Sequence, residues 1–194
     1  MKPLLLNNSF LRSIFYGFAN VALFILRWKT RGRMPDIKKF ILIAAPHSSN
    51  WDFIFFLLII FKFQIPVHWI AKESMFIWPF KRLLQRLGGI PINRSEKSNL
   101  VAAMVDTFDQ ADRLVVTIAP SGTRKNVTHW KTGFYQIANQ ADIPIVCGFV
   151  DYRLRTGGIG PVILPTGDMD ADMETIKIFY KDKSGRYEGS LPDN

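Results

Sequence analysis

The stretch Phe40–Phe63, FILIAAPHSSNWDFIFFLLIIFKF, decides how this chain folds. Its first six residues are continuously apolar, the pattern of a short strand buried on both faces of a parallel sheet. Pro46 interrupts the run, having no N–H to offer a ladder. From Asn50 the chain is apolar again over WDFIFFLLIIFKF, too long for a typical strand and read as a helix. Between the two lies HSSN, a polar break rich in residues that cap helices.

Working outward, strands and helices continue to alternate. Val67–Ala71 reads as a strand, and Trp78–Leu87 as a helix carrying Phe80, Leu83, Leu84 and Leu87 at helical spacing. Gly88-Gly89 stops that helix, and Ile90–Ile92 is a short strand. Ser95 is a candidate N-cap for a helix whose Leu100, Val101, Met104, Val105 and Phe108 share one face. Strands are expected at Arg113–Ala119, Pro144–Tyr152 and Gly160–Pro165, with helices at Gly133–Ala141 and Ala171–Tyr180. The expectation is an α/β fold, a largely parallel central sheet flanked on both faces by helices. At 194 residues the chain has room for one sizeable core. It divides into residues 1–33, an N-terminal helix with a basic linker, and a single domain over 34–194. No repeat, low-complexity tract or linker beyond 27–39 interrupts it.

Ile14–Leu26, IFYGFANVALFIL, has Asn20 as its only polar side chain. As a helix it rises only about 20 Å, against a hydrocarbon core of about 30 Å, so a simple span is disfavoured. Leu11, Ile14, Phe18, Val21 and Ile25 recur at helical spacing, and Arg27, Trp28, Lys29, Arg31 and Arg33 follow directly. An apolar stripe beside cations and an aromatic is the signature of a helix lying in the interface over anionic lipid. The plainer alternative is an amphipathic helix packed on its own domain. A cleaved signal peptide fits poorly, because the charges follow the apolar run instead of leading it. The expected location is the cytoplasmic face of a membrane, peripheral or monotopic.

Lys and Arg outnumber Asp and Glu by 25 to 16, a net charge of +9, which calls for a polyanionic partner. Nucleic acid is disfavoured: no recognised motif is present, and the cations gather beside an apolar helix instead of along a stacking surface. Cys147 is the single cysteine, so neither an internal disulfide nor a cysteine metal site is possible. His47, His68 and His129 lie far apart and outside metal-ligand spacing, so no metal is expected.

Three stretches carry candidate chemistry. His47 follows the Phe40–Ala45 strand, five residues before Asp52. On one continuous helix the pair would lie about 140° apart. They meet if His47 sits in the strand-to-helix turn and Asp52 in the first helical turn. A carboxylate on one imidazole nitrogen fixes the tautomer and leaves the other as a general base. The second stretch is GGIPINR, Gly88–Arg94, which sets a guanidinium at a strand end, where it suits a phosphate. The third is PSGTR, Pro120–Arg124, at the carboxyl end of another strand, where α/β sheets gather ligands. Each alone has an ordinary explanation: a loop histidine near a helix-dipole acid, a surface arginine, a turn. His68 reads as a core or edge residue, His129 as a solvated loop residue, and Cys147 as inert packing. The Phe-rich helix is mostly core, with apolar surface to spare for an acyl chain or a bilayer.

Taken together and in order, these blocks resemble the glycerolipid acyltransferase family, which includes the lysophosphatidic acid acyltransferases. The resemblance rests on His47-Ser-Ser-Asn-Trp-Asp52 (HX4D), on Gly89-Ile90 through Arg94 (GxIxxxR), on Gly122-Thr123-Arg124 (EGTR) and on Ile143-Pro144-Ile145-Val146. Lys72-Glu73 and Lys131-Thr132-Gly133-Phe134 add to it, and it spans roughly residues 40 to 150. It implies His47 as the base, Asp52 as its orienting partner, and Arg94 and Arg124 as holders of an acceptor phosphate. Ser121, Gly122, Thr123 and Lys72 would belong to the same substrate pocket. It also implies acyl-CoA or acyl-carrier protein as donor, a lysophospholipid acceptor such as 1-acylglycerol-3-phosphate, and no cofactor. One position departs: the family carries Glu where this chain has Ser121. That points to a different acceptor, a lyso-aminolipid or another alcohol or amine, or to a weakly active lipid-binding homologue. A Ser121 nucleophile is disfavoured, since no G-x-S-x-G elbow surrounds it.

Overall fold

The computed structural model describes residues 4–92, 100–125 and 127–187. Among the described residues seven strands form one sheet: β1 Lys29–Arg31, β2 Lys39–Ala45, β3 His68–Lys72, β4 Gly89–Ile92, β5 Leu114–Ile118, β6 Ile145–Asp151 and β7 Thr156–Ile163. Their order across the sheet is β1-β7-β6-β2-β5-β3-β4. Every pairing is parallel except β6 with β7. The helices are α1 Ser9–Ile25, α2 Trp51–Phe63, α3 Lys81–Arg86, α4 Leu100–Gln110, α5 Gly133–Gln140 and α6 Met169–Tyr180.

The central strand β2 shows why the core forms. Side chains alternate across a pleated strand, so a continuous apolar run feeds both faces. Ile41, Ile43 and Ala45 enter one core with Phe108, Phe134, Ile137 and Tyr180, under α4, α5 and α6. Phe40 and Leu42 enter the other with Leu58, Ile59, Phe61 and Leu23, under α2 and α1.

Three local readings differ from the structure. The Trp78–Leu87 helix shortens to α3, because the chain around Pro79 is a turn that follows a 3-10 turn at Glu73–Met75. Phe80 and Leu83, two of the residues at helical spacing, are exposed. Residues 27–39 contain the edge strand β1, where linker was expected; its exposed Lys29 and Arg31 give no apolar signal. β7 begins at Thr156, four residues ahead of the expected start, in a Gly-rich stretch with little strand character. The Ser95 cap and Arg94 lie outside the described residues.

Helix α1 turns its sequence pattern outward. Phe10, Ile14, Phe18, Val21, Phe24 and Ile25 are all exposed. Its contacts with the body come from Phe15, stacked on Phe61 with centroids 4.6 Å apart, and from buried Ala19 and Leu23. Asn20 Oδ1 accepts a hydrogen bond from Lys62 Nζ, on the same side as the body. Among the described residues no helix is long and apolar enough to cross a membrane.

Candidate active site

The chain leaves β2 at Ala45 and re-enters regular structure at Trp51, so His47 lies in the turn and Asp52 in the first turn of α2. His47 Nδ1 is 3.5 Å from Asp52 Oδ2. That is long for a hydrogen bond, as is common before a substrate tightens a site. A carboxylate facing Nδ1 holds the proton there and leaves the Nε2 lone pair for chemistry. His47 is partly exposed while Asp52 is buried, so the imidazole can be reached from outside and its partner is shielded.

Asp52 is surrounded by donors. Its Oδ2 accepts the N–H groups of Ser48 and Ser49 at 2.5 and 2.6 Å, and its Oδ1 accepts the Tyr152 hydroxyl at 2.7 Å. Burial pushes its pKa up, but the bonds from His47, Tyr152, Ser49 and Ser48 outweigh it and hold the carboxyl below the ordinary carboxylate value. The helix N-terminus favours the same anion. Tyr152 is pushed well above its ordinary value by burial, then by the carboxylate it binds. It therefore stays a hydroxyl donor at neutral pH.

Neither Tyr152 nor the segment near the carboxyl end was legible as part of this site. Tyr152 is 100 residues from Asp52 in sequence, and its one local signal is its place just past the carboxyl end of β6. Its ring meets Trp28 and Phe55 edge-on, at 5.1 and 5.6 Å. Its N–H donates to the Ser184 carbonyl, while Ser48 Oγ accepts the N–H groups of Arg186 and Tyr187. Arg186 lies over the Trp51 ring at 5.3 Å. Residues 184–187 thus strap the His47 turn from outside.

The remaining motif residues sit on neighbouring strand ends. β2, β5 and β3 are adjacent and parallel, so the His47 turn, the Pro120–Arg124 loop and Lys72 leave the sheet at one edge in that order. Gly122 has φ +61°, and a Cβ there would come within 2.9 Å of Lys131 Nζ, so the glycine leaves that ammonium its place. Thr123 is half-buried; Arg124 and Lys72 are exposed. Ser121 is buried and its hydroxyl donates to the Thr123 carbonyl at 2.8 Å, which makes it a turn-forming residue. Arg94 falls outside the described residues. His129 is exposed, with Nδ1 3.0 Å from Thr128 Oγ1. His68 lies in β3, where burial lowers its pKa; burial likewise pushes the Cys147 thiol up to about 12. No cluster that could hold a metal occurs among the described residues.

The arrangement can accept a proton at His47 Nε2 beside a cation-bearing sheet edge. The fold matches the crystal structure of the 1-acyl-sn-glycerophosphate (LPA) acyltransferase PlsC from Thermotoga maritima, with a TM-score of 0.64. Sequence identity is 18%, over 92% of this chain and 83% of that one, a likeness of fold. No curated protein matches the sequence. The acyltransferase family profile matches residues 27–149, from the end of α1 to β6 and across every motif named above. With more than half of its length inside that match, the chain belongs to the acyltransferase family.

Proposed function

We propose that this acyltransferase works at the surface of an anionic membrane and moves a fatty-acyl group from a thioester to the hydroxyl of a lysophospholipid. The donor is acyl-CoA or acyl-carrier protein, and 1-acylglycerol-3-phosphate is the reference acceptor. The observation that carries this reading is the His47–Asp52 pair, with Nε2 free at the edge that also bears the Pro120–Arg124 loop and Lys72. His47 Nε2 takes the acceptor's hydroxyl proton as the oxygen attacks the thioester carbonyl carbon. The tetrahedral intermediate collapses, the C–S bond breaks, and the leaving sulfur takes the proton back from the imidazolium. Asp52 orients the ring and stabilises its charged form. Arg124 and Arg94 hold the acceptor phosphate, which positions the hydroxyl. The outward stripe of α1, followed by Arg27 and Lys29, supports peripheral or monotopic attachment on the cytoplasmic face.

A second acceptor class is favoured by one observation. Ser121 stands where the family carries Glu, and its hydroxyl is occupied by the Thr123 carbonyl. The loop thus lacks a carboxylate, so a lyso-aminolipid or another lipid alcohol or amine is the alternative acceptor. Both readings are tested by incubating the protein in liposomes with labelled acyl-CoA or acyl-carrier protein and a mixed pool of lysophospholipids and lyso-aminolipids. A labelled product that disappears in His47→Ala supports the base, and its headgroup names the acceptor. A product formed only by Ser121→Glu means the serine silences the site. No product with any donor rejects turnover in favour of a lipid-binding role.

A further inference from the structure

The carboxyl edge of the sheet carries more apolar surface than a water-facing active site needs. After β3 the chain runs through Met75, Ile77, Trp78, Phe80 and Leu83, all exposed, with Trp78 90% accessible. This segment is not a loose loop. Phe76, in its middle, is buried and stacks on Trp69 at 5.6 Å, so its neighbours are held pointing outward. Between Lys72 and Arg86 the side-chain charges are Lys72, Lys81, Arg82 and Arg86 against Glu73 alone, all exposed.

The topology sets this segment beside the active site. β3 is parallel to β5 and β5 to β2, so residues after Lys72 leave the sheet at the edge where His47 leaves it. The far end of α1 reaches the same edge. β1 pairs parallel with β7, β7 runs antiparallel to β6, and β6 is parallel to β2, so β1 enters from the carboxyl side. Trp28, just before β1, touches Tyr152, which binds Asp52. Exposed Phe24, Ile25 and Leu26 therefore flank the site on one side, and Met75–Phe80 on the other. Leu5, ahead of α1, shares a surface cleft with Pro79, Arg82, Leu83 and Arg86, which makes the segment continuous with the helix.

We infer that Met75–Leu83 is a second membrane-docking surface, which inserts Trp78 and Phe80 into an anionic bilayer and, with α1, seats the His47 edge on the lipid. The occupant follows from chemistry. A fully exposed tryptophan among aliphatic and aromatic side chains, ringed by lysine and arginine, suits the headgroup boundary, where indole rings settle and anionic lipid attracts cations. One anchor leaves a protein free to pivot about it; two on opposite flanks of a site define its orientation. A lipid acceptor then reaches His47 without leaving the bilayer. The inference rests on the reading of a membrane-surface acyltransferase but is measurable without turnover.

The experiment uses the full chain and vesicles of phosphatidylcholine with or without phosphatidylglycerol. Trp78→Ser/Phe80→Ser should bind the anionic vesicles about tenfold more weakly, with unchanged circular dichroism. Arg82→Glu/Arg86→Glu should lose roughly as much, and only on anionic vesicles. Shallow brominated lipids should quench tryptophan fluorescence in the wild type and much less in Trp78→Phe, which keeps an apolar ring. Unchanged vesicle affinity together with unchanged quenching overturns the inference. So does a dimer that dissociates in Trp78→Ser/Phe80→Ser while vesicle affinity holds, since the patch then belongs to a second copy. Trp78-dependent binding without any acyl transfer leaves the docking surface standing and rejects the catalytic reading; turnover with Trp78-independent binding does the reverse.

Discussion

Replacing Tyr152 by Phe isolates one bond to Asp52. The hydroxyl donates to Oδ1 at 2.7 Å, and the carboxylate is only 5% exposed, so water does not readily take its place. The ring's edge contacts with Trp28 and Phe55 survive, so no cavity opens. A hydrogen bond to a charged group contributes about 1.5–3 kcal/mol. At this chain length each kcal/mol moves the melting temperature by about 2–4 °C, so a drop of about 3–12 °C is expected near neutral pH. The sign of the pH dependence follows from linkage. The carboxyl of Asp52 is held below its ordinary value in the folded protein, so its stabilisation is present above the ordinary carboxylate range and fades as pH falls through the folded pKa. Tyr152→Phe weakens that contribution, so the stabilities of variant and wild type should converge as the pH falls through the folded pKa of Asp52, below the ordinary carboxylate range. Thermal or urea unfolding of detergent-solubilised protein, followed from pH 7 down to about pH 2, measures it. A constant difference across that range, or none at neutral pH, would refute the assignment of Tyr152 to the ionised carboxylate.

His47→Ala should fold normally and lose at least about 10²–10⁴ in turnover, read in the labelled acyl-transfer assay. Arg124→Ala should raise the acceptor KM strongly and spare kcat, since a phosphate clamp positions more than it reacts; equal losses in kcat would contradict that role. Gly32 has φ +83°, and a Cβ there would come within 1.8 Å of the Ile159 carbonyl oxygen. Gly32→Ala should therefore loosen the edge pairing, seen as faster amide exchange at Lys29–Arg31 and a stability loss above about 1 kcal/mol. Phe108→Ala empties a side chain that is 1% exposed in the core under α4 and should cost about 3–5 kcal/mol in urea unfolding.

Much of this molecule is readable along the chain. Burial of a strand on both faces demands an uninterrupted apolar run, so Phe40–Ala45 announces a central parallel strand before any partner is known. The helix starting at Trp51 follows from thirteen consecutive mostly apolar residues after a capping break, and the break itself sets His47 and Asp52 in reach of each other. These are local properties, determined by residue type and spacing. Short or exposed elements gave no such signal: β1 is three residues with two outward cations, and α3 is short, starting only after the turn around Pro79. Longer-range facts needed the tertiary structure. The Tyr152 hydroxyl and the strap over Ser48 come from residues 100 and more than 130 positions away, which only strand order brings to Asp52. Periodicity marked the apolar stripe of α1 but could not say which way it points, because a buried face and a lipid-facing one obey the same 3.6-residue repeat. Packing decides it: Phe15, Ala19 and Leu23 are turned to the core, while Phe10, Ile14, Phe18, Val21, Phe24 and Ile25 face out.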